Sequence, residues 1–214
     1  TEVSPFVDAL KRVKAFVQSL AARGIAIAYL DIGGGLGITY NDETPPHPSE
    51  YAGAVISELQ GLNCTLILEP GRVIVGNAGA LVARVLYTKK SEAKNFIVVD
   101  AAMNDLVRPS LYDAFHEIRP VQITGAPVIA ADIVGPICES GDFLARSRQI
   151  ADLAQGELIA VMSAGAYGFS MSSNYNSRPR AAEVLVSGDS FSVIRQRETF
   201  EDMVRLERIP DCLA

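Results

Sequence analysis

The sequence predicts an α/β unit followed by a mainly antiparallel β domain, and three observations carry that expectation. Helical and strand periods alternate through the first third of the chain. Two short apolar runs there each end in a glycine-containing loop, as buried parallel strands do. Beyond about residue 79, strand-like runs follow one another through turns with no long helix between them.

The elements follow in order. Residues 5–22 place Phe6, Leu10, Val13, Phe16, Val17 and Leu20 at helical spacing, and Arg23-Gly24 closes that helix. The run IAIAYLDI at 25–32 is the first buried-type strand, residues 48–62 a second helix, and CTLIL at 64–68 a second strand. Residues 80–87, 95–100, 125–134, 157–163, 182–187 and 190–195 are strand-like, the last two joined by the hairpin dipeptide Gly188-Asp189. A domain boundary is expected near 77–79, giving units 1–78 and 79–214. The opening residues TEVSP contain no initiating methionine, which suggests a piece of a longer chain.

Bulk properties narrow the function classes. A net charge of −6 argues against a nucleic-acid or anionic-membrane surface. Three cysteines with neither paired nor metal-ligand spacing point to a reducing, cytoplasmic compartment and to no metal. No apolar run approaches the ~20 residues of a membrane-spanning helix, and the charged N-terminus is unlike a signal peptide.

Several loops have the composition of sites. LDIGGGLG leaves a strand with glycines whose backbone N–H groups can converge on an anion, although a structural turn has the same look. It does not fit the dinucleotide fingerprint, because no helix opens at once. LEPGR leaves the next strand at the matching end, with Arg72 offering a planar fork for carboxylate or phosphate, or else a surface ion pair. In PICESGD a thiol, Cys138, precedes the carboxylate Glu139; read without context, this is a cysteine at a strand end with a polar turn after it. Tyr167 in SAGAYG ends a strand, where a tyrosine is commonly a packing residue, and NYNSRPR at 174–180 reads as a polar loop that could be purely structural.

Taken together and in this order, LDIGGGLG, LEPGR, MNDLVRPSLYDAFHEI, GPICESGD, SAGAYGFSMSSNYNSRPR and AAEVLV resemble the C-terminal half of the diaminopimelate decarboxylase family, from about Phe6 to the end. The resemblance implies the last βα units of an alanine-racemase-like (β/α)8 barrel followed by a β-barrel or sandwich domain, and pyridoxal 5′-phosphate as cofactor. It implies decarboxylation of meso-2,6-diaminopimelate to L-lysine. Gly33, Gly34 and Gly35, with Glu69, Pro70, Gly71 and Arg72, would hold the cofactor phosphate, and Tyr167 would contact cofactor and substrate. Arg72, Arg108 and Tyr112 would hold substrate carboxylates, Glu139 the distal ammonium, and Cys138 would donate the proton after CO₂ leaves. The PICESGD loop would reach into a partner subunit's site, so a homodimer with shared active sites is implied.

The chemistry suits these residue types. The cofactor is the electron sink, so the protein has to bind, orient and reprotonate. An ordinary thiol, pKa about 8.5, is mostly protonated at neutral pH and can act as a general acid. The family's Schiff-base lysine and the histidine that stacks on the cofactor ring are not matched. Lys11 and Lys14 fall on the polar face of the first helix, Lys89, Lys90 and Lys94 at a strand-turn edge, and His47 and His116 lie in unrelated contexts. The chain is therefore expected to be a C-terminal fragment, inactive without the N-terminal half of the enzyme. Related decarboxylases acting on ornithine, arginine or carboxynorspermidine, and a non-catalytic homologue of the fold, are the alternatives.

Overall fold

Glycine 79 separates two compact units in the computed structural model, Thr1–Gly79 and Ala80–Ala214. The structure describes residues 4–213, so the lead-in at 1–3 lies outside the described residues.

In the first unit, α1 (Ser4–Ala21) turns Leu10 and Val17 inward, as the 3.6-residue period requires. Helix α2 (Pro48–Glu58) starts at a proline, the residue already fixed for a first helical turn, and the His47 ring accepts the backbone N–H of Ser49. The two helices share a small core of Leu10, Tyr51 and Val55, with Phe6 edge-on to Tyr51 at 5.3 Å between ring centres. The Lys14 ammonium donates to the Glu58 carbonyl at the end of α2, 2.7 Å away, tying the helices together.

Strands β1 (Tyr29–Asp31) and β2 (Thr65–Ile67) pair in parallel with Tyr29 opposite Thr65 and Asp31 opposite Ile67. Both are shorter than the runs 25–32 and 64–68 suggested, and neither is buried: Tyr29 is 68% exposed and Ile67 40%. A parallel strand is buried only when other strands flank it and helices cover both faces. Two strands alone cannot supply that.

In the second unit, six strands form one mixed sheet in the order β5-β8-β3-β4-β6-β7: β3 (Leu81–Lys90), β4 (Asn95–Val99), β5 (Ile118–Pro120), β6 (Val128–Val134), β7 (Phe143–Ala151) and β8 (Leu158–Val161). Alternate residues on one face, among them Ala83 and Val85, Ile97 and Val99, Ala131 and Ile133, and Ile159 and Val161, make the core with Leu106 and Leu144. All neighbouring pairs are antiparallel except β4 with β6, which run parallel. Strand β9 (Glu183–Ser187) and β10 (Ser190–Arg195) form a separate hairpin on Gly188-Asp189, whose Gly188 has a positive φ of 58°.

Strand β7 is absent from the sequence reading for an identifiable reason. Its pairing with β6 slips where Arg146 and Ser147 face Asp132, and Ser147 takes φ 49°. This bulge breaks the alternation by which a strand is recognised. Asp132 fills it, its Oδ1 accepting the Ser147 N–H and its Oδ2 the Lys94 ammonium, each at 2.7 Å. Strand β5 and the short helices α3 (Arg72–Val75), α4 (Arg108–Tyr112) and α5 (Phe200–Val204) are likewise additions, too brief to carry a period. Thr199 and Asp202 cap α5 reciprocally.

Candidate active site

In the first unit, the parallel register of β1 and β2 sends both following loops off the same end. The ladder continues into them: Ile32 N–H donates to the Ile67 carbonyl at 3.2 Å, and Glu69 N–H to the Gly33 carbonyl at 2.9 Å. Asp31 Oδ1 accepts the Gly33 N–H at 2.8 Å and folds the glycine loop back on its strand. Gly33 (φ 69°) and Gly35 (φ 105°) occupy the left-handed region, and a Cβ on Gly34 would overlap the Glu69 carbonyl oxygen. Gly33 and Gly34 are thus packed backbone to backbone against Glu69, while Gly35 lies against the Phe6 ring. Arg72 opens α3, its guanidinium 5.7 Å from the centre of the Tyr40 ring. Gly33 leaves open space where a Cβ would stand, and Arg72 puts a cation on the neighbouring segment, a composition that suits a phosphate group.

In the second unit, the loop joining β6 to β7 is PICESGD. Buried Asp142 braces it. One carboxylate oxygen accepts the Ile137 N–H and the other the Met103 N–H, both at 2.7 Å, and its carbonyl accepts the Gly135 N–H at 3.2 Å. Burial pushes this carboxyl's pKa up, against the pull of the two backbone N–H groups and of Arg178. Ile137 is buried beneath the loop, whereas Cys138 and Glu139 on its far side are exposed. The acid-rich turn therefore divides its labour: Asp142 holds the loop, and Glu139 is displayed beside a free thiol.

Helix α4 lies against that loop, since a Cβ on Gly141 would meet Ser110 Oγ at 2.6 Å. Arg108 is 6% exposed, its Nη1 3.0 Å from His116 Nε2, while His116 Nδ1 is 2.8 Å from the Met162 carbonyl. A carbonyl only accepts, so Nδ1 carries the hydrogen and Nε2 accepts from Arg108. His116 thereby links Arg108 to the strand end that runs into the Tyr167 loop. Tyr112 is 62% exposed. Tyr167, 40% exposed, holds φ at 61°, and a Cβ on its neighbour Gly168 would overlap the Ala164 carbonyl. A non-glycine residue held there signals a strained turn fixed by its surroundings.

Two further residues were missed by sequence reasoning. Asn104, 2% exposed, donates to the Ser173 carbonyl at 3.3 Å and accepts from Arg178 Nε at 2.9 Å, joining the approach to α4 to the loop after Tyr167. Tyr175 places its hydroxyl 3.4 Å from Glu139 Oε2. The segment NYNSRPR was read as a polar loop, and nothing in its composition marks a contact 36 residues back along the chain.

The model of the pyridoxal-dependent decarboxylase C-terminal sheet domain matches residues 13–165. The chain belongs to the pyridoxal-dependent decarboxylases. It is 54% identical over 203 residues to a diaminopimelate decarboxylase of Pseudomonas aeruginosa, covering 95% of this chain and 49% of that protein. The crystal structure of diaminopimelate decarboxylase from Helicobacter pylori complexed with L-lysine is similar at a TM-score of 0.88 and 43% identity, covering 96% of this chain and 51% of that one. The enzyme from M. jannaschii in co-complex with L-lysine is similar at a TM-score of 0.94 and 36% identity, covering 100% and 50%. The chain thus spans about half the length of the relatives it matches. Pyridoxal phosphate is the family's cofactor.

Proposed function

We propose that this chain is the C-terminal part of a decarboxylase that converts meso-2,6-diaminopimelate to L-lysine, with residues 1–78 contributing to a cofactor-binding barrel and 79–214 forming the sheet domain. The observation that carries the reading is the loop 135–142, where buried Asp142 holds an exposed thiol next to an exposed carboxylate. A substrate with an amine and a carboxylate at each end calls for such a set: an ammonium reader, guanidinium forks and a proton donor.

In this reading Gly33, Gly34 and Gly35, with Glu69, Pro70, Gly71 and Arg72, would hold the cofactor phosphate, and Tyr167 would contact cofactor and substrate. When bound, pyridoxal phosphate supplies the electron sink that stabilises the charge left by departing CO₂. Arg72, Arg108 and Tyr112 orient the carboxylates, and Glu139 takes the distal ammonium. Cys138 donates its Sγ proton to the carbon that has lost CO₂; a C–H bond replaces the C–C bond, and the thiolate recovers a proton from solvent. The loop acts across a homodimer in the cytoplasm, and the cofactor-bearing lysine comes from the N-terminal half of the enzyme. Support comes from the sequence relatives and from the neighbours holding L-lysine.

A substrate panel on the full-length protein tests the assignment. meso-Diaminopimelate is expected to exceed ornithine and arginine in kcat/KM by about two orders of magnitude or more, because a site built for a second carboxylate leaves buried donors unpaired without it. Preference for ornithine would overturn the substrate.

A further inference from the structure

Glu139 presents a problem of orientation. It is exposed on a loop, and a glutamate has three freely rotating bonds, yet an ammonium reader must keep its carboxylate in one place. Its Oε1 accepts the Gly141 N–H at 3.2 Å, and its Oε2 faces the Tyr175 hydroxyl at 3.4 Å. One oxygen is held by the loop itself and the other by a ring from a distant segment. Each oxygen keeps acceptor capacity for a third partner.

The backbone that carries Tyr175 is held on both sides. Its N–H donates to Ser173 Oγ at 3.3 Å, and Ser173 N–H donates to the carbonyl of buried Asn104 at 2.9 Å. On the other side, Asn174 Nδ2 donates to the Arg178 carbonyl at 3.1 Å and to Glu198 at 2.7 Å. Asn176 (φ 60°) and Ser177 (φ 53°) then both take left-handed backbone. Two left-handed residues and an anchor on each side fix the backbone under a residue that is 47% exposed and so gains little from burial.

We propose that Tyr175 is a positioning residue for Glu139, fixing the carboxylate that receives the distal ammonium; the inference rests on the decarboxylase reading above. A phenol suits the task better than a cation. It orients an oxygen by a hydrogen bond without cancelling the negative charge, so the carboxylate keeps its full attraction for the ammonium. The Glu139 charge in turn raises the phenol's pKa, favouring its protonated, donating form further.

The test is Tyr175→Phe in the full-length holoenzyme, with kinetics on meso-diaminopimelate, calorimetry with L-lysine and thermal melting. Loss of one orienting hydrogen bond is expected to raise KM and the dissociation constant for L-lysine together by about 3- to 10-fold, with kcat within about twofold and the melting midpoint unchanged. In the Glu139→Gln background the same change is expected to have almost no further effect. Unchanged KM and lysine affinity in Tyr175→Phe overturns the inference while leaving the decarboxylase reading intact. So does a lowered melting midpoint with kcat and KM moving together, which marks a merely structural residue. Failure of the unsubstituted enzyme to act on meso-diaminopimelate overturns both.

Discussion

Cys138 carries the most consequential assignment at the scale of single residues. It is exposed, one position from the buried Ile137 that anchors the loop. Cys138→Ala in the full-length enzyme is expected to lower kcat by about 10²-fold or more, with cofactor absorbance retained, because a general acid is lost and no binding contact. Near-normal turnover would return the residue to an ordinary surface thiol. A second residue-scale expectation concerns Glu198, held at a pKa of about 2 by hydrogen bonds from the Arg180 guanidinium and backbone N–H and from Asn174. A depressed carboxyl stabilises the fold above its unfolded value, about 4.3, and loses that contribution as pH falls toward 2. The urea midpoint of Glu198→Gln is therefore expected to lie below that of the parent at neutral pH, with the gap closing between pH 4.5 and 2; a gap independent of pH would contradict it. Cys138 and Glu139 raise a question in the sequence because a thiol stands directly before a carboxylate, but their roles come from the family resemblance and not from the heptapeptide alone. Tyr175 raises none, since its partner is set by folding alone.

Elements show the same division. The two loops LDIGGGLG and LEPGR have a composition shared by phosphate cradles and ordinary structural turns, so the sequence marks them as a site only through the order of the six motifs, and Gly34 shows what is at stake. A methyl there overlaps the Glu69 carbonyl, so Gly34→Ala is expected to cost about 1–3 kcal/mol of stability and to weaken cofactor binding in the full-length protein. Normal cofactor affinity would remove the glycine loop from the phosphate site. The loop 135–142 makes a complementary case. Asp142→Ala strips the acceptor from the Ile137 and Met103 N–H groups, and about 2–5 kcal/mol of destabilisation is expected from two orphaned donors, measured by denaturant melts. A loss below about 0.5 kcal/mol would show that water replaces the carboxylate. Helices α1 and α2 and most strands of the sheet declared themselves through period and capping. Strand β7 did not, because a bulge at Arg146-Ser147 interrupts its alternation, and β1 and β2 were read as buried because their composition suits a layer that this chain does not itself provide.

At the scale of the whole molecule, exposed apolar surface is the dominant feature. Both faces of the β9–β10 hairpin are open, with Val186 69%, Phe191 73% and Ile194 62% exposed, and β1 and β2 are uncovered as well. Patches of this kind mark interfaces. The isolated chain is expected to bind a hydrophobic dye strongly, and to lose that binding when joined to the N-terminal half of a relative. Equal dye binding in both would mean that the added half covers other surface. The central claim, that this chain holds the proton donor and substrate-reading groups but not the cofactor lysine of a diaminopimelate decarboxylase, is tested most directly by measuring CO₂ and L-lysine formed from meso-diaminopimelate. The comparison is between the chain alone and a full-length chimera carrying the N-terminal half of the Pseudomonas aeruginosa relative. The chain alone is expected to release no CO₂ above the level of free pyridoxal phosphate, with borohydride trapping none of Lys11, Lys14, Lys89, Lys90 or Lys94, while the chimera forms one L-lysine per CO₂. Stoichiometric labelling of one of those lysines with CO₂ release by the chain alone, or a cofactor-loaded chimera that makes no lysine, would contradict it.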